Sequence, residues 1–345
     1  MTPEFQRLMH EANRLTRAGD VHAATAAIQS ALGIGGAPAP LAANDHVAAQ
    51  AVTDVDSREV PGTAAQFTAG CFATASGKRD YKLFIPASAS SGDGPLPLVV
   101  MLHGCTQTSD DFAAGTAMNA LAQAQGVIVL YPEQSREANP QRCWNWFKHS
   151  HQQRGRGEPA LLAGMTRQVM AQHQVDADRV YVAGLSAGGA MAAILADTYP
   201  ELYAAVGVHS GLSAGAASDL PSALAAMQGQ GGGSRPNARH VPTIVFHGDA
   251  DATVHPSNGE RVAAASSAGA VAAEVLQHQT AGKRRSTRRV HRDKAGKVLA
   301  EHWVVHGAAH AWSGGSASGS YTDSSGPDAS AEMLRFFLEQ PRSAH

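Results

Sequence analysis

Short runs of apolar residues alternate along this chain with stretches whose apolar positions recur at helical spacing. The apolar runs predict strands over residues 81–85, 98–102, 127–131, 180–185, 205–210, 243–248 and 301–305. Between these runs, helices are predicted over residues 158–173, 189–196 and 257–269. The run over 98–102 is apolar throughout, as expected when both faces of a parallel sheet are covered. The alternation therefore predicts an α/β fold with a mostly parallel central sheet flanked by helices.

The first 65 residues follow a different pattern. Apolar residues at helical spacing on either side of Ala18-Gly19-Asp20 predict a helical hairpin over residues 1–32. Residues 33–65 are rich in Ala, Pro, Gly and Asp, which predicts a linker and leaves residues 66–340 for the main domain. We expect the hairpin to be a packing or dimerisation element, with docking to a partner surface as the alternative.

The segment Gly184-Leu185-Ser186-Ala187-Gly188 joins a predicted strand to a predicted helix. In that context G-x-S-x-G is typical of a nucleophile elbow, although the pentapeptide alone also occurs in ordinary Gly/Ser loops. A tight turn there would hold the serine in a strained conformation with its hydroxyl above the sheet. The N-terminus of the following helix would favour negative charge as it develops. Ser186 is therefore the predicted nucleophile.

A serine nucleophile needs a histidine base that is oriented by a carboxylate. In the α/β-hydrolase arrangement the three residues follow in the order serine, acid, histidine. Asp251 lies in the loop after the strand at 243–248, and His310 lies in a Gly/Ala-rich loop after the last strand. Asp249 is the alternative acid, but we expect it to hydrogen-bond its own loop backbone. The predicted triad is Ser186, Asp251 and His310.

The strand at 98–102 runs into His103-Gly104-Cys105-Thr106-Gln107. In this arrangement one oxyanion donor is the backbone N–H after the nucleophile, and the other comes from the loop after the third strand. These donors are predicted to be Ala187 and Cys105, with Thr106 as the alternative to Cys105. Donors of this kind contribute about 3 kcal/mol each to transition-state stabilisation.

Two further features of the loops leave alternatives open. Cys105 and Cys143 are both expected at the carboxyl edge of the sheet, where they could form a disulfide or stay free thiols as in a reducing compartment. Within the excursion from 139 to 157, Trp144, Trp146 and Phe147 follow one another closely. These rings either line an acyl or aryl pocket or staple the loop onto the body of the domain.

Charge and hydropathy exclude several classes of function. The formal net charge is −2 and 16% of residues are charged, which does not favour nucleic acid or an anionic membrane as a partner. The basic run over 283–289 begins a predicted hairpin, and we expect it to protect an exposed edge strand. No segment is long and apolar enough for a membrane span, and the N-terminus lacks a secretory signal pattern. A cytoplasmic location is therefore expected.

Four segments taken together carry a more specific signal: Leu102-His103-Gly104-Cys105-Thr106-Gln107, Arg142-Cys143-Trp144-Asn145-Trp146, Gly184-Leu185-Ser186-Ala187-Gly188-Gly189-Ala190-Met191 and Gly307-Ala308-Ala309-His310-Ala311-Trp312-Ser313-Gly314-Gly315. They resemble the polyhydroxybutyrate depolymerase family of esterases, which is related to the feruloyl esterases of carbohydrate esterase family 1. The resemblance covers residues 66–340 and leaves secretion open.

The resemblance implies an α/β-hydrolase fold without a metal or organic cofactor. It assigns Ser186, Asp251 and His310 to the triad, and Cys105 and Ala187 to the oxyanion hole. It also implies a substrate cleft bordered by Trp144, Trp146 and Trp312, and we count Thr106 as a fourth substrate-binding residue.

The expected activity is hydrolysis of carboxylic esters through an acyl-enzyme. The expected substrates are poly(3-hydroxybutyrate)-type polyester or its oligomers and short-chain hydroxyacyl esters, with amorphous rather than crystalline polymer because no polymer-binding domain is visible. The alternatives are feruloyl- or acetyl-type plant esters and, less favoured, peptidase or acyltransferase chemistry on the same triad. The N-terminal hairpin could then contact the polymer surface.

Overall fold

The apolar runs of the sequence form the centre of a ten-stranded sheet. The computed structural model describes residues 64–74, 77–90, 94–230 and 241–342. Its main strands are β1 (Gln66–Thr74), β2 (Gly77–Ile85), β3 (Leu96–Leu102), β4 (Ile128–Pro132), β5 (Val175–Leu185), β6 (Ala205–His209), β7 (Thr243–Gly248), β8 (Ala272–His278), β9 (Ser286–Arg292) and β10 (Val298–Val305). Two short strands, β11 (Trp312–Ser313) and β12 (Thr322–Asp323), pair separately.

The strand order is β1-β2-β4-β3-β5-β6-β7-β10-β9-β8. The six inner strands from β4 to β10 run parallel, and two antiparallel strands extend the sheet at each end. Since parallel strands end at the same edge, the loops after β3, β5, β7 and β10 converge. This is an α/β-hydrolase fold, as the sequence predicts, and it brings the loops that carry the predicted triad and oxyanion donors to one edge.

Helices cover both faces of the sheet. They are α1 (Ser109–Thr116), α2 (Met118–Gln125), α3 (Gly157–Gln172), α4 (Ala187–Thr198), α5 (Leu220–Met227), α6 (Ser257–Ser266) and α7 (Ala329–Leu338), with 3₁₀ turns at Ala87–Ser90 and His149–Gln152. Alternate residues of β3 enter separate cores: Val100 packs with α3 and α4, whereas Val99 packs with α1 and α7. The central strands are therefore buried on both faces, which explains why they read as continuous apolar runs.

The expected edge strand is corrected by the structure. β9, which contains most of the basic run, lies between β10 and β8, so the exposed edge on that side is β8. Two of the basic side chains instead neutralise carboxylates of neighbouring elements, with 2.6 Å contacts of Arg288 with Glu301 and of Arg284 with Asp323. Arg288 thus pairs within the sheet extension, and Arg284 links the segment before β9 to β12.

The predicted N-terminal hairpin over residues 1–32 and all but the last two residues of the predicted linker over 33–65 lie outside the described residues. These domain boundaries, with the predicted main domain over 66–340, therefore stay predictions. In the part of the chain that is described, each helix is too short or too polar to span a bilayer.

Candidate active site

Ser186 stands in a strained turn between β5 and α4. Its backbone φ of 57° and ψ of −117° fall outside the regions that non-glycine residues ordinarily adopt. The turn survives because its neighbours fix it: the Ser186 N–H donates to His209 O at 2.8 Å. A Cβ built on Gly188 would lie 2.1 Å from Leu102 O, so only glycine allows this approach to the end of β3. Ser186 is half-buried and lies at the carboxyl end of β5.

The predicted acid and base meet above two adjacent strands. β7 and β10 are parallel neighbours, with Gly248 in register with Val305, so the loops that follow them lie side by side. The Nδ1 atom of His310 lies 2.7 Å from Oδ2 of Asp251. Asp251 is 4% exposed, and its Oδ1 accepts the N–H groups of Thr253 and Val254, each at 2.9 Å. The carboxylate is thus held from its own loop while it orients the imidazole.

His247 is a further partner of this carboxylate. Its Nε2 lies 2.8 Å from Val254 O and 3.4 Å from Oδ2 of Asp251, which identifies Nε2 as the protonated nitrogen. Burial alone would raise the pKa of Asp251, but the hydrogen bonds of His247 and His310 and the charge of His310 hold it well below the usual range. Asp251 therefore remains an anion at neutral pH.

Asp249 occupies a different position from the one expected. Instead of capping its own loop, it accepts the Gly307 N–H at 2.6 Å and lies 2.8 Å from Nδ1 of His306. The Ala250 N–H donates to Ala308 O at 3.1 Å, so the acid loop and the histidine loop are joined at several points. Asp249 thus holds together the two loops that carry Asp251 and His310.

His209, at the end of β6, links the serine turn to the histidine segment. Its carbonyl accepts the Ser186 N–H, and its Nε2 accepts the Ser313 N–H at 2.9 Å. Burial, together with the nearby His247 and His310, lowers the pKa of His209 to about 3, so the ring stays neutral and keeps Nε2 as an acceptor. Sequence reasoning missed this residue, although a histidine ending an apolar strand before a serine was a usable signal.

The two predicted oxyanion donors lie on segments in direct contact, since Gly188 packs against Leu102 O and His103 O. Thr106 is unavailable as an alternative donor: its N–H donates to Gln141 O at 2.7 Å, and its hydroxyl donates to Cys105 O at 2.6 Å. Among the described residues, the Cys105 N–H has no backbone or side-chain acceptor. These contacts favour Cys105 and Ala187 as the pair.

A disulfide between Cys105 and Cys143 straps the oxyanion loop to the aromatic segment. That segment is itself anchored by Glu158, a buried carboxylate that accepts the Asn145 N–H at 2.7 Å and Gln134 Nε2 at 2.6 Å. Burial would raise the pKa of Glu158, but the nearby His151 and the hydrogen bonds from Gln134 and Asn145 outweigh it and lower the pKa. The disulfide therefore joins the oxyanion loop to a segment that Glu158 holds in place.

The three predicted cleft tryptophans lie in the interior. Trp144, Trp146 and Trp312 are exposed by 0%, 5% and 1%. Trp144 Nε1 donates to His103 O at 3.1 Å, and Trp312 Nε1 donates to Ser330 Oγ at 3.0 Å. A buried ring offers no surface to a substrate, so the expectation of a cleft lined by these rings is corrected: they support the loops that carry the site. Thr106, in contrast, is exposed beside Cys105.

Removal of the disulfide should destabilise the protein. A bridge that closes 38 residues limits the unfolded chain and contributes about 3 to 4 kcal/mol in the loop-entropy treatment. We expect Cys143→Ala to lower the free energy of unfolding by about that amount in urea titrations, and to lower kcat by freeing the Cys105 loop. Cys71→Ala, which removes the exposed free thiol, is the matched control. Equal stability of the two variants would contradict a closed bridge.

Acidification should destabilise the fold before its carboxylates protonate. Burial lowers the pKa of His103 from 6.5 to about 4, and of His209 and His302 to about 3. Below about pH 6.5 the unfolded chain therefore binds protons at these histidines, whereas the folded chain does not. The free energy of unfolding consequently falls as the pH drops from 6.5 towards these pKa values. The pKa shift of His103 alone corresponds to a loss of about 3 kcal/mol in the free energy of unfolding, because each pKa unit is worth about 1.4 kcal/mol.

Urea titrations between about pH 7 and pH 4.5 measure this loss. The control variant His149→Ala, at an exposed position, should leave the dependence of the free energy of unfolding on pH unchanged. A free energy of unfolding that stays constant over this window would show that the buried histidines accept protons in the folded state.

Comparison with known proteins gives a consistent result. Residues 79–290 match the family model described as Esterase PHB depolymerase. Poly(3-hydroxyalkanoate) depolymerase C of Paucimonas lemoignei is 35% identical over 175 residues, which cover 47% of this chain and 42% of that protein. Acetylxylan esterase A of Talaromyces purpureogenus is 29% identical over 229 residues, which cover 59% and 56% respectively. The chain thus spans about half the length of the curated relatives it matches.

Among solved structures, acetyl xylan esterase from Aspergillus awamori superposes with a TM-score of 0.53 at 22% identity. The superposition covers 67% of this chain and 89% of that protein. At this level of identity the likeness concerns the fold, and it agrees with the α/β-hydrolase topology described above.

Proposed function

Because this chain belongs to the Esterase PHB depolymerase family, we propose that it is a serine esterase that hydrolyses carboxylic esters through an acyl-enzyme. The observation that carries the proposal is the 2.7 Å contact between His310 and the buried Asp251, at the sheet edge where Ser186 occupies a strained elbow. This combination serves acyl transfer because a neutral imidazole with a fixed tautomer can activate a serine hydroxyl.

In the proposed mechanism, His310 donates its Nδ1 proton to the hydrogen bond with Asp251 and keeps Nε2 free. Nε2 takes the proton of the Ser186 hydroxyl as Oγ attacks the ester carbonyl. The N–H groups of Cys105 and Ala187 stabilise the oxyanion of the tetrahedral intermediate. The alcohol leaves with the proton held by His310, and water then attacks the acyl-enzyme by the same route and regenerates Ser186.

For the substrate, we favour polyester oligomers and short hydroxyacyl esters. The relative from Paucimonas lemoignei, whose name states a poly(3-hydroxyalkanoate) depolymerase, supports this choice. Acetyl esters of plant polysaccharides are the second candidate, supported by the relatives named acetylxylan esterases. Both substrate classes place an ester carbonyl at the same triad and differ in what surrounds it.

A paired assay tests the activity and its substrate class. The purified protein is given oligomers of 3-hydroxybutyrate, amorphous polymer and acetylated xylan, with Ser186→Ala as the blank. Serine-dependent release of 3-hydroxybutyrate is the expected result. Release of acetate alone would move the substrate to the second candidate, and no serine-dependent hydrolysis of any ester would refute the esterase.

Two further proposals concern the setting of the enzyme. The Cys105–Cys143 bridge favours an oxidising compartment over a reducing cytosol, which revises the cytoplasmic expectation. Residues 1–32 keep their proposed role as a packing or dimerisation element, with contact to a polymer surface as the alternative.

A further inference from the structure

Tyr321 is an aromatic residue that neither the triad nor the oxyanion hole accounts for. Its side chain is 48% exposed, which is unusual for a large ring among the described residues. Its backbone φ of 52° lies in the left-handed region, which is uncommon for a bulky residue. Such a conformation costs free energy and persists where surrounding contacts enforce it, often at a functional site.

Contacts on both sides of Tyr321 enforce this conformation. The Trp312 N–H donates to Tyr321 O at 2.7 Å, within the pairing of β11 with β12. On the other side, the Ser320 N–H donates to Oδ1 of Asp111 at 2.9 Å, and Gln107 Nε2 donates to Ser320 O at 3.1 Å. The backbone is thus tied both to the segment that follows His310 and to the segment that follows Cys105.

The ring consequently ends beside Thr106, the residue that follows Cys105. Its hydroxyl lies 3.4 Å from Oγ1 of Thr106. Since the Thr106 hydroxyl gives its proton to Cys105 O, the phenol must be the donor in this contact. A distance of 3.4 Å is long for a hydroxyl pair, so the phenol proton can be redirected to a substrate oxygen at little cost.

The exposed side chain of Tyr321 suits one class of ligand. It offers an exposed aromatic face and one hydroxyl donor next to the proposed oxyanion hole. An oligomer of hydroxyacyl units presents the complement, because its backbone carries ester oxygens that only accept hydrogen bonds, together with apolar carbon. A simple ester of a small alcohol has no second ester unit that could reach Tyr321.

We propose that Tyr321 is a specificity-determining residue that binds the ester unit next to the scissile one in a polyester oligomer. The phenol donates to an oxygen of that unit, and the ring covers its apolar carbon. The inference rests on the proposed esterase function and narrows its substrate class to chains of at least two hydroxyacyl units.

The test compares kcat/KM for a 3-hydroxybutyrate trimer with kcat/KM for p-nitrophenyl butyrate, which has a single ester. Loss of a neutral hydrogen bond weakens binding by about threefold to tenfold. We expect Tyr321→Phe to lower the trimer-to-butyrate ratio by this factor, mainly through KM for the trimer, and Tyr321→Ala to lower it further. Phe67→Leu, at an exposed aromatic on the edge strand β1, should leave the ratio unchanged.

The possible results separate this inference from the proposed function. An unchanged ratio in Tyr321→Phe and Tyr321→Ala would overturn the role of Tyr321, as would an equal loss on both substrates. A wild-type enzyme that hydrolyses p-nitrophenyl butyrate through Ser186 but leaves the trimer intact would also overturn it, with the esterase retained. Failure on both substrates would refute the esterase itself.

Discussion

If the proposed function holds, replacement of Ser186 by alanine is expected to reduce kcat for ester hydrolysis by a factor on the order of 10⁵ to 10⁶, the scale of nucleophile loss in serine hydrolases. The variant should keep its fold, because the contacts that hold the turn come from the Ser186 N–H and from the glycines beside it. Hydrolysis with a chromogenic ester, together with labelling by a fluorophosphonate, measures the loss.

Ser210→Ala is the matched control for this variant. Ser210 directly follows β6 and also has a positive φ, of 49°, but its Oγ contacts Nδ1 of His209 at 3.2 Å. We expect a loss of less than about tenfold there. A Ser186→Ala protein that folds, retains near-full activity and still reacts with the probe would place the nucleophile elsewhere.

The centre of the fold could be predicted because burial on both faces leaves a direct trace in the sequence. β6 and β7 are covered by helices on each side, so they appear as mostly apolar runs. The edge strands lack this signal: β8 is mostly exposed, and its alternation of Ala, Glu, Val and Gln does not distinguish a strand from a loop. The position of β8 at the sheet edge, beside β9, depends on strand pairing, which the local sequence pattern does not indicate.

The candidate triad was predictable from the order of short motifs along the chain. The supporting residues were not, because they act through distant contacts. His209 binds Ser313 across 104 positions, and Tyr321 reaches Thr106 across 215 positions. The tryptophans show the opposite error, because the sequence predicted a role in the cleft for rings that are buried. A cluster of aromatic residues in a loop has the same sequence whether its rings line a pocket or fill the core.

The choice between Asp249 and Asp251 gives the second large expected effect. Asp251→Asn should lower kcat by about 10⁴, the scale found when a triad aspartate becomes an amide and the histidine takes the wrong tautomer. Four donors surround Asp251: His310, His247 and the N–H groups of Thr253 and Val254. An amide has a single acceptor oxygen, so its NH₂ group would face one of these donors and the free energy of unfolding should also fall.

Asp249→Asn is the matched comparison, because the residue lies two positions away on the same loop. Its amide oxygen could still accept the Gly307 N–H, and only the contact with His306 would weaken. We therefore expect kcat to fall by no more than about tenfold, through a looser hold on the loop that carries His310. Measurement of kcat and of unfolding in urea for both variants separates chemistry from stability. If Asp249→Asn loses more activity than Asp251→Asn at equal stability, the catalytic carboxylate is Asp249, and the 2.7 Å contact of His310 with Asp251 is only structural.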